Sequence, residues 1–442
     1  MIRLSAPWSS GAVLQHSQAL RLCGQTTADM PIIAVLHHEQ TRINLSGRSD
    51  ATGVFCFEIH AQPPSGPWTL HISADGSQLI QLDDLWFGEL LLFAGQSNVG
   101  WPLARYPEQL SAAITQLQNQ QRLRCYHSDP ADFQAPGQWL TLSPEYCAYW
   151  PALLYHFSQS YQPAEPDVML GLVDISWPGS AIDAWTEHVD GASATQAWQP
   201  GALFATRLKP WLLQPFVALI WYQGEQDAMG KESAHYAAKL QHWLDSCRRV
   251  AGLEFPLLIV QIAGFGRRDL PAPLQGFVQV RLAQQQVAAT NPQCWLVSAA
   301  DLGAADDIHP PFKAELARRL ALCIRHQNNA LLLAQLLPSE AGAQQHEVVL
   351  QLPTADWHSR PDEPGATAAP IAGFYIDDGH HDWIAVPARF SADRRQLLLL
   401  LPTKIPQQAR QLVYGLTPMP DLTLYTAEGL PLLPQCWQLE TY

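Results

Sequence analysis

Between Leu90 and about Asn329 the chain repeats one pattern: a short apolar run, a small polar cluster, then a longer helical stretch. "ELLLFAG" leads into "QSNVG", "DVMLGLVDIS" into "WPGSAIDAW", and "PFVALIWYQG" into "EQDAMGKESAHYAAKLQHWLDSCRRVAG". "FPLLIVQIAG" is followed by "PLQGFVQVRLAQQQVAAT", and "CWLVSAADL" by "HPPFKAELARRLALCIRHQ". Apolar strands alternating with helices specify an α/β fold whose parallel sheet is covered on both faces. In such sheets ligands gather beyond the carboxyl ends of the strands, and the polar clusters fall there.

The flanks have another rhythm. Up to Gly88, "PIIAVLHH", "VFCFEIHA" and "WTLHISA" are β-rich runs divided by turn-prone segments, which predicts an antiparallel sandwich. After Asn329, "EVVLQLP", "AGFYIDD", "WIAVPARFS", "QLLLLLP" and "RQLVYGL" return to strands, with "RPDEPGATAAP" as a surface loop. The chain of 442 residues therefore divides into an N-terminal β-sandwich-like domain (1–88), a central α/β domain (89–330) and a C-terminal β-rich domain (331–442).

A formal net charge of −14 without a Lys/Arg block excludes a nucleic-acid footprint, and no apolar run is long enough to span a bilayer. The oligomeric state stays open. The eight scattered cysteines form no C-x-x-C pair and read as mostly free thiols. "MIRLSAPWSSGAVLQ" lacks the apolar core of a signal peptide, so the expected compartment is cytoplasmic; a natural leader would make it periplasmic or secreted.

Ser97 stands after the first central strand, in a Gly-Gln turn. Alone it reads as a loop or capping serine; as a nucleophile it needs a histidine oriented by a carboxylate. It is not the G-x-S-x-G elbow, because Val99 occupies the second glycine's place. Late in the chain "AADDIHPPFK" offers Asp306 three residues before His309, with Asp307 adjoining. That spacing can return a carboxylate to the imidazole, or simply cap the next helix. Gly179 in "ISWPGSAIDAW" could present a bare backbone N–H, and Gln223 in "WYQGEQDA" an amide side chain, to an oxyanion. Glu225 reads either as a brace for the Gln223 loop or as a helix-start carboxylate. "HHEQ" and "DDGHHDW" lack H-E-x-x-H spacing, so no metal site is expected.

"GQSN" (Gly95–Asn98), "SWPGSAIDAW" (Ser176–Trp185), "WYQGE" (Trp221–Glu225) and "DDIHP" (Asp306–Pro310) resemble, in order, the blocks of the SGNH hydrolases, and more narrowly the sialate O-acetylesterase family. "AVLQ" (Ala12–Gln15), "AGFYIDD" and "YTAEGLPLLP" (Tyr425–Pro434) are similar to that family's flanking β regions, so the resemblance covers nearly the whole chain. It implies a three-layer α/β/α hydrolase domain and a serine esterase removing O-acetyl groups from carbohydrate, foremost sialic acids, with no cofactor. It also implies a triad of Ser97, Asp306 and His309, and an oxyanion hole of Ser97 N–H, Gly179 N–H and the Gln223 side chain. The chain departs from the wider pattern in carrying Gln223 where Asn is frequent. A deacetylase of xylan or another glycan is the alternative enzyme; a non-catalytic carbohydrate-binding protein is the alternative of another class.

Overall fold

The computed structural model describes residues 2–76, 78–116, 122–163, 165, 167–267, 270–327, 331–337, 347–354, 356–359, 371–377, 382–402 and 411–439. The loop expected at "RPDEPGATAAP" and most of "DDGHHDW" lie outside them. The fold is mixed α/β, with a large mixed sheet and smaller β-rich sheets. Two compact units are formed, one from Met1–Gln223 with Gln241–Leu258, the other from Gly224–Leu240 with Ile259–Tyr442.

In the first unit the strand Pro31–His38 buries Ile32, Ala34 and Leu36 while Ile33 faces solvent, the period of two that a half-buried strand requires. It pairs antiparallel with Thr41–Arg48 and Ser65–Ala74, and Leu20–Gln25 pairs antiparallel with Arg3–Leu4 and Val54–Ile59. Their inner faces form one apolar core that includes Leu22, Ile32, Phe55, Leu70 and Phe87. Cys23 and Cys56, register partners in that pairing, form a disulfide; Cys125, Cys147, Cys247, Cys294, Cys323 and Cys436 are free.

The strand Gln78–Gly95 leaves this sheet without a break. Up to Phe87 it pairs antiparallel with Ser65–Ala74; from Glu89 it lies parallel to Leu170–Asp174, and from Leu91 parallel to Ala218–Tyr222. Residue 88, where a boundary was expected, is thus the point at which one strand changes partners. Beyond Leu170–Asp174 come Leu123–His127, parallel, and Gln138–Thr141, an antiparallel edge. Leu170–Asp174 and Ala218–Tyr222 are buried at every position, as expected of strands covered on both faces.

In the second unit the Gln275 side chain accepts from Phe277 N and Val278 N and so caps the helix Gly276–Thr290. The helix Lys313–His326 follows the strand Cys294–Ser298. Among the described C-terminal strands, His358–Ser359 pairs antiparallel with Leu424–Tyr425, and the others form two four-stranded antiparallel sheets. One orders Gln335–Leu336, Glu347–Gln351, Gln396–Leu400 and Ala388–Phe390; the other orders Trp383–Ala385, Phe374–Asp377, Gln411–Tyr414 and Gln435–Gln438. They share a core with Ala300, which lies outside the region expected as the C-terminal domain. No helix among the described residues is long and apolar enough to cross a membrane.

Candidate active site

Gly95 ends its strand with φ of +135°, and a Cβ there would lie 2.0 Å from the Tyr222 carbonyl oxygen. Glycine alone tolerates both conditions. The turn is pinned on two sides, since Gln96 N donates to Tyr222 O (3.1 Å) and Trp177 N donates to Gly95 O (2.9 Å). Ser97 then opens the single helical turn Ser97–Gly100 and is 7% exposed. At the end of that turn a Cβ on Gly100 would lie 2.4 Å from Ser176 Oγ, so the turn rests directly on the end of the neighbouring strand.

What it rests on is a polar network. Asp174 Oδ1 accepts from Ser176 Oγ (2.6 Å) and Ser176 N (3.0 Å), while its Oδ2 lies 3.3 Å from His127 Nδ1. Burial pulls His127 down, but the hydrogen bond and charge of Asp174 outweigh it and leave the imidazole above its ordinary value. Arg207, buried, donates to the carbonyls of Phe133, Ser176, Asp129 and Asp132 and stacks its guanidinium over Trp177 at 4.7 Å. The loop from Ser176 onward is thereby fixed from below.

Gly179 sits in that loop at φ +64°, exposed, with open space where a Cβ would point. Gln223 is fully buried at the end of Ala218–Tyr222; its Nε2 donates to Ser180 O (3.1 Å) and, at 3.5 Å, to Gln96 Oε1. The amide therefore joins the loops of Ser97 and Gly179, and an oxyanion at this position would compete with those two acceptors for its N–H groups. Ser97, Gly179 and Gln223 all belong to the first unit.

The second unit carries Glu225, Asp306, Asp307 and His309. Glu225 is 1% exposed and is the first residue of the helix Glu225–Met229, the helix-start position. Asp307 Oδ1 accepts from His309 N (2.8 Å) and lies 4.0 Å from His309 Nδ1. Asp306 is exposed and makes no hydrogen bond or ion pair among the described residues. Of the two adjacent aspartates, Asp307 is the one that lies near His309. The side chain two residues upstream turns back to the His309 backbone N–H, whereas the one three residues upstream turns to solvent.

Lys313 was not singled out by the sequence reading. It is the first residue of its helix and 2% exposed. Burial pushes it down to about 8 against the opposing charges of Glu225 and Asp307. The signal was present: Lys313, Leu316, Ala317 and Leu320 follow i, i+3, i+4, i+7 and share the buried face. His127, Asp174 and Arg207 were also missed, each being an ordinary polar residue until the topology gathers them. Among the described residues no group of three or more His, Cys, Asp or Glu is arranged to hold a metal ion.

The profile of the carbohydrate esterase family described as sialic acid-specific acetylesterases matches residues 88–324. The structure is similar over 100% of both chains to a carbohydrate acetylesterase from Xanthomonas citri, with a TM-score of 0.82 and 24% identity, a likeness of fold. More remote likenesses are to a protein of Arabidopsis thaliana (TM-score 0.38, 15% identity, 54% of this chain and 98% of that one) and to NanS (TM-score 0.32, 16% identity, 49% and 79%). No curated protein gives a significant match.

Proposed function

The chain belongs to the carbohydrate esterase family of sialic acid-specific acetylesterases, which makes it a carboxylic ester hydrolase, and we propose that it removes O-acetyl groups from sialic acids through an acetyl-enzyme. The observation that carries the reading is Ser97, held at a parallel-strand end by a turn that only glycine can make at position 95. Ser97 is the nucleophile and His309 its base. Asp307 takes the orienting role, supported by its contacts to His309 N and toward Nδ1.

In the first half-reaction Ser97 Oγ bonds to the acetyl carbonyl carbon as its proton passes to His309. The negative charge on the carbonyl oxygen falls to Ser97 N–H, Gly179 N–H and the Gln223 amide. The tetrahedral intermediate collapses as the bond to the sugar oxygen breaks, and His309 returns the proton to that oxygen. Water then attacks the acetyl-enzyme with His309 again as base, and acetate leaves. Asp307 keeps the imidazole in the tautomer that accepts at Nε2 and stabilises the imidazolium in each half.

The test is acetate release from O-acetylated sialic acid, measured beside acetylated xylo-oligosaccharides. Ser97→Ala should lower kcat by about a thousandfold or more with circular dichroism unchanged. Full turnover by a folded Ser97→Ala protein would refute the nucleophile, and preference for the xylo-oligosaccharides would replace the sialic acid substrate.

A further inference from the structure

The segment Ser176–Trp185, which carries Gly179, holds two tryptophans in opposite surroundings. Trp185 is fully buried and donates its Nε1–H to Ser180 Oγ (2.8 Å), as a core tryptophan does. Trp177 is only half-buried, and its Nε1 makes no hydrogen bond among the described residues. Its backbone is nevertheless pinned, because its N–H donates to Gly95 O, two residues before Ser97. The ring is held as well. The Arg207 guanidinium lies over it at 4.7 Å, and Phe133 forms a T-shaped pair with it at 6.2 Å and 73°. Arg207 is itself buried and bonded to four backbone carbonyls, so the support on that side is rigid. What these contacts leave of the indole is open to solvent, with Pro178 and Gly179 exposed beside it.

We propose that Trp177 is the platform on which the sugar ring of the substrate stacks, and so the residue that selects carbohydrate esters over ring-free acetyl esters. This rests on the esterase reading of Ser97. A pyranose ring presents a face of C–H groups rimmed by hydroxyls. An indole has the matching parts, an apolar face and one N–H donor. Because Arg207 and Phe133 already hold the ring, stacking costs it little rotamer freedom, and the contact goes into holding the sugar. The backbone fixes the place: Trp177 is bonded to Gly95, just ahead of Ser97, and Gly179 follows two residues later. A sugar stacked there brings its ester to the strand end that carries the nucleophile.

The experiment compares kcat/KM for an acetylated sugar with kcat/KM for ethyl acetate, in wild type and in three variants of Trp177. The sugar is the faster of O-acetylated sialic acid and acetylated xylo-oligosaccharide. Trp177→Ala should lower the sugar-to-ethyl-acetate ratio at least about tenfold, through a raised KM for the sugar. Trp177→Phe should stay within about threefold of wild type. Trp177→Leu keeps apolar bulk against Arg207 without a flat ring; it should lose the ratio as alanine does, and it decides the matter if Trp177→Ala does not fold. A tryptophan that only supports the loop would depress both esters in proportion. An unmoved ratio in Trp177→Ala, or a leucine variant that keeps it, overturns the platform. Should Ser97→Ala release acetate as fast as wild type, the esterase reading fails instead. Calorimetric binding of the deacetylated sugar then decides: weaker binding by Trp177→Ala upholds the platform, and unchanged affinity overturns it.

Discussion

Asp306 and Asp307 differ by one position and by what each can reach. Asp307 meets His309 at its backbone N–H and lies toward Nδ1, while Asp306 meets solvent. An aspartate in direct contact with a catalytic histidine is worth up to about 10⁴ in kcat in serine proteases; at 4.0 Å the coupling is weaker. Asp307→Asn should therefore cost at least about tenfold in kcat, and Asp306→Asn less than about twofold, in the same acetate-release assay. The reverse ranking would return the role to Asp306. Ser97 stands out in the sequence because it follows a continuous apolar strand, and His309 because it sits in a compact acidic turn before a helix. The choice between adjacent aspartates was not legible, since it depends on which way a short turn twists. Lys313 was hidden for another reason: a lysine on an amphipathic helix is ordinarily solvated, and only the phase of Leu316, Ala317 and Leu320 contradicts that.

At the scale of elements, the strands legible in the sequence are those with continuous apolar runs, such as Ala218–Tyr222. Leu123–His127 and Gln138–Thr141 escaped because Arg124 and His127 interrupt one and a polar edge forms the other. Their polar residues have structural uses: Arg124 pairs with Asp84 at 2.7 Å, and His127 faces Asp174 across the ends of parallel strands. That second pair predicts a pH dependence. The folded imidazole titrates above the ordinary histidine value, so its contribution to stability is fully present below that ordinary value and disappears as pH rises through the raised folded value. Urea midpoints measured across this range should show wild type exceeding His127→Gln at acidic pH, with the gap closing as pH rises. A gap independent of pH would mean that packing, and not the ion pair, accounts for the difference. Because Gly100 packs on Ser176 and Asp174, the same strand ends support the Ser97 turn.

At the scale of the molecule, the β-rich flanks were legible as composition, but their independence was not. Within the second unit Arg281, 1% exposed, donates to Phe277 O in its own helix and to the carbonyls of Thr417 (3.1 Å) and Pro418 (2.7 Å). Arg319 grips Asp301 through two bonds of 2.7 Å, and the Tyr425 hydroxyl donates to the same carboxylate at 3.0 Å. Phe265 N and Ala272 N donate to Pro418 O and Leu416 O. A fragment limited to 89–330 would lose the two carbonyl acceptors that residues 417 and 418 offer Arg281, and each hydrogen bond to a charged group is worth about 1.5–3 kcal/mol. It would also uncover the core around Ala300 and cut the strand Gln78–Gly95 at its change of partners. Against a total stability of about 5–15 kcal/mol, these losses should be decisive. The 89–330 fragment is expected to show no cooperative thermal transition by circular dichroism and to be digested rapidly by trypsin, whereas the full chain melts cooperatively. A soluble fragment with a sharp transition and acetate release near that of the full chain would show instead that the central α/β region folds alone, and that the bonds from Arg281 and Tyr425 only attach a separable appendage.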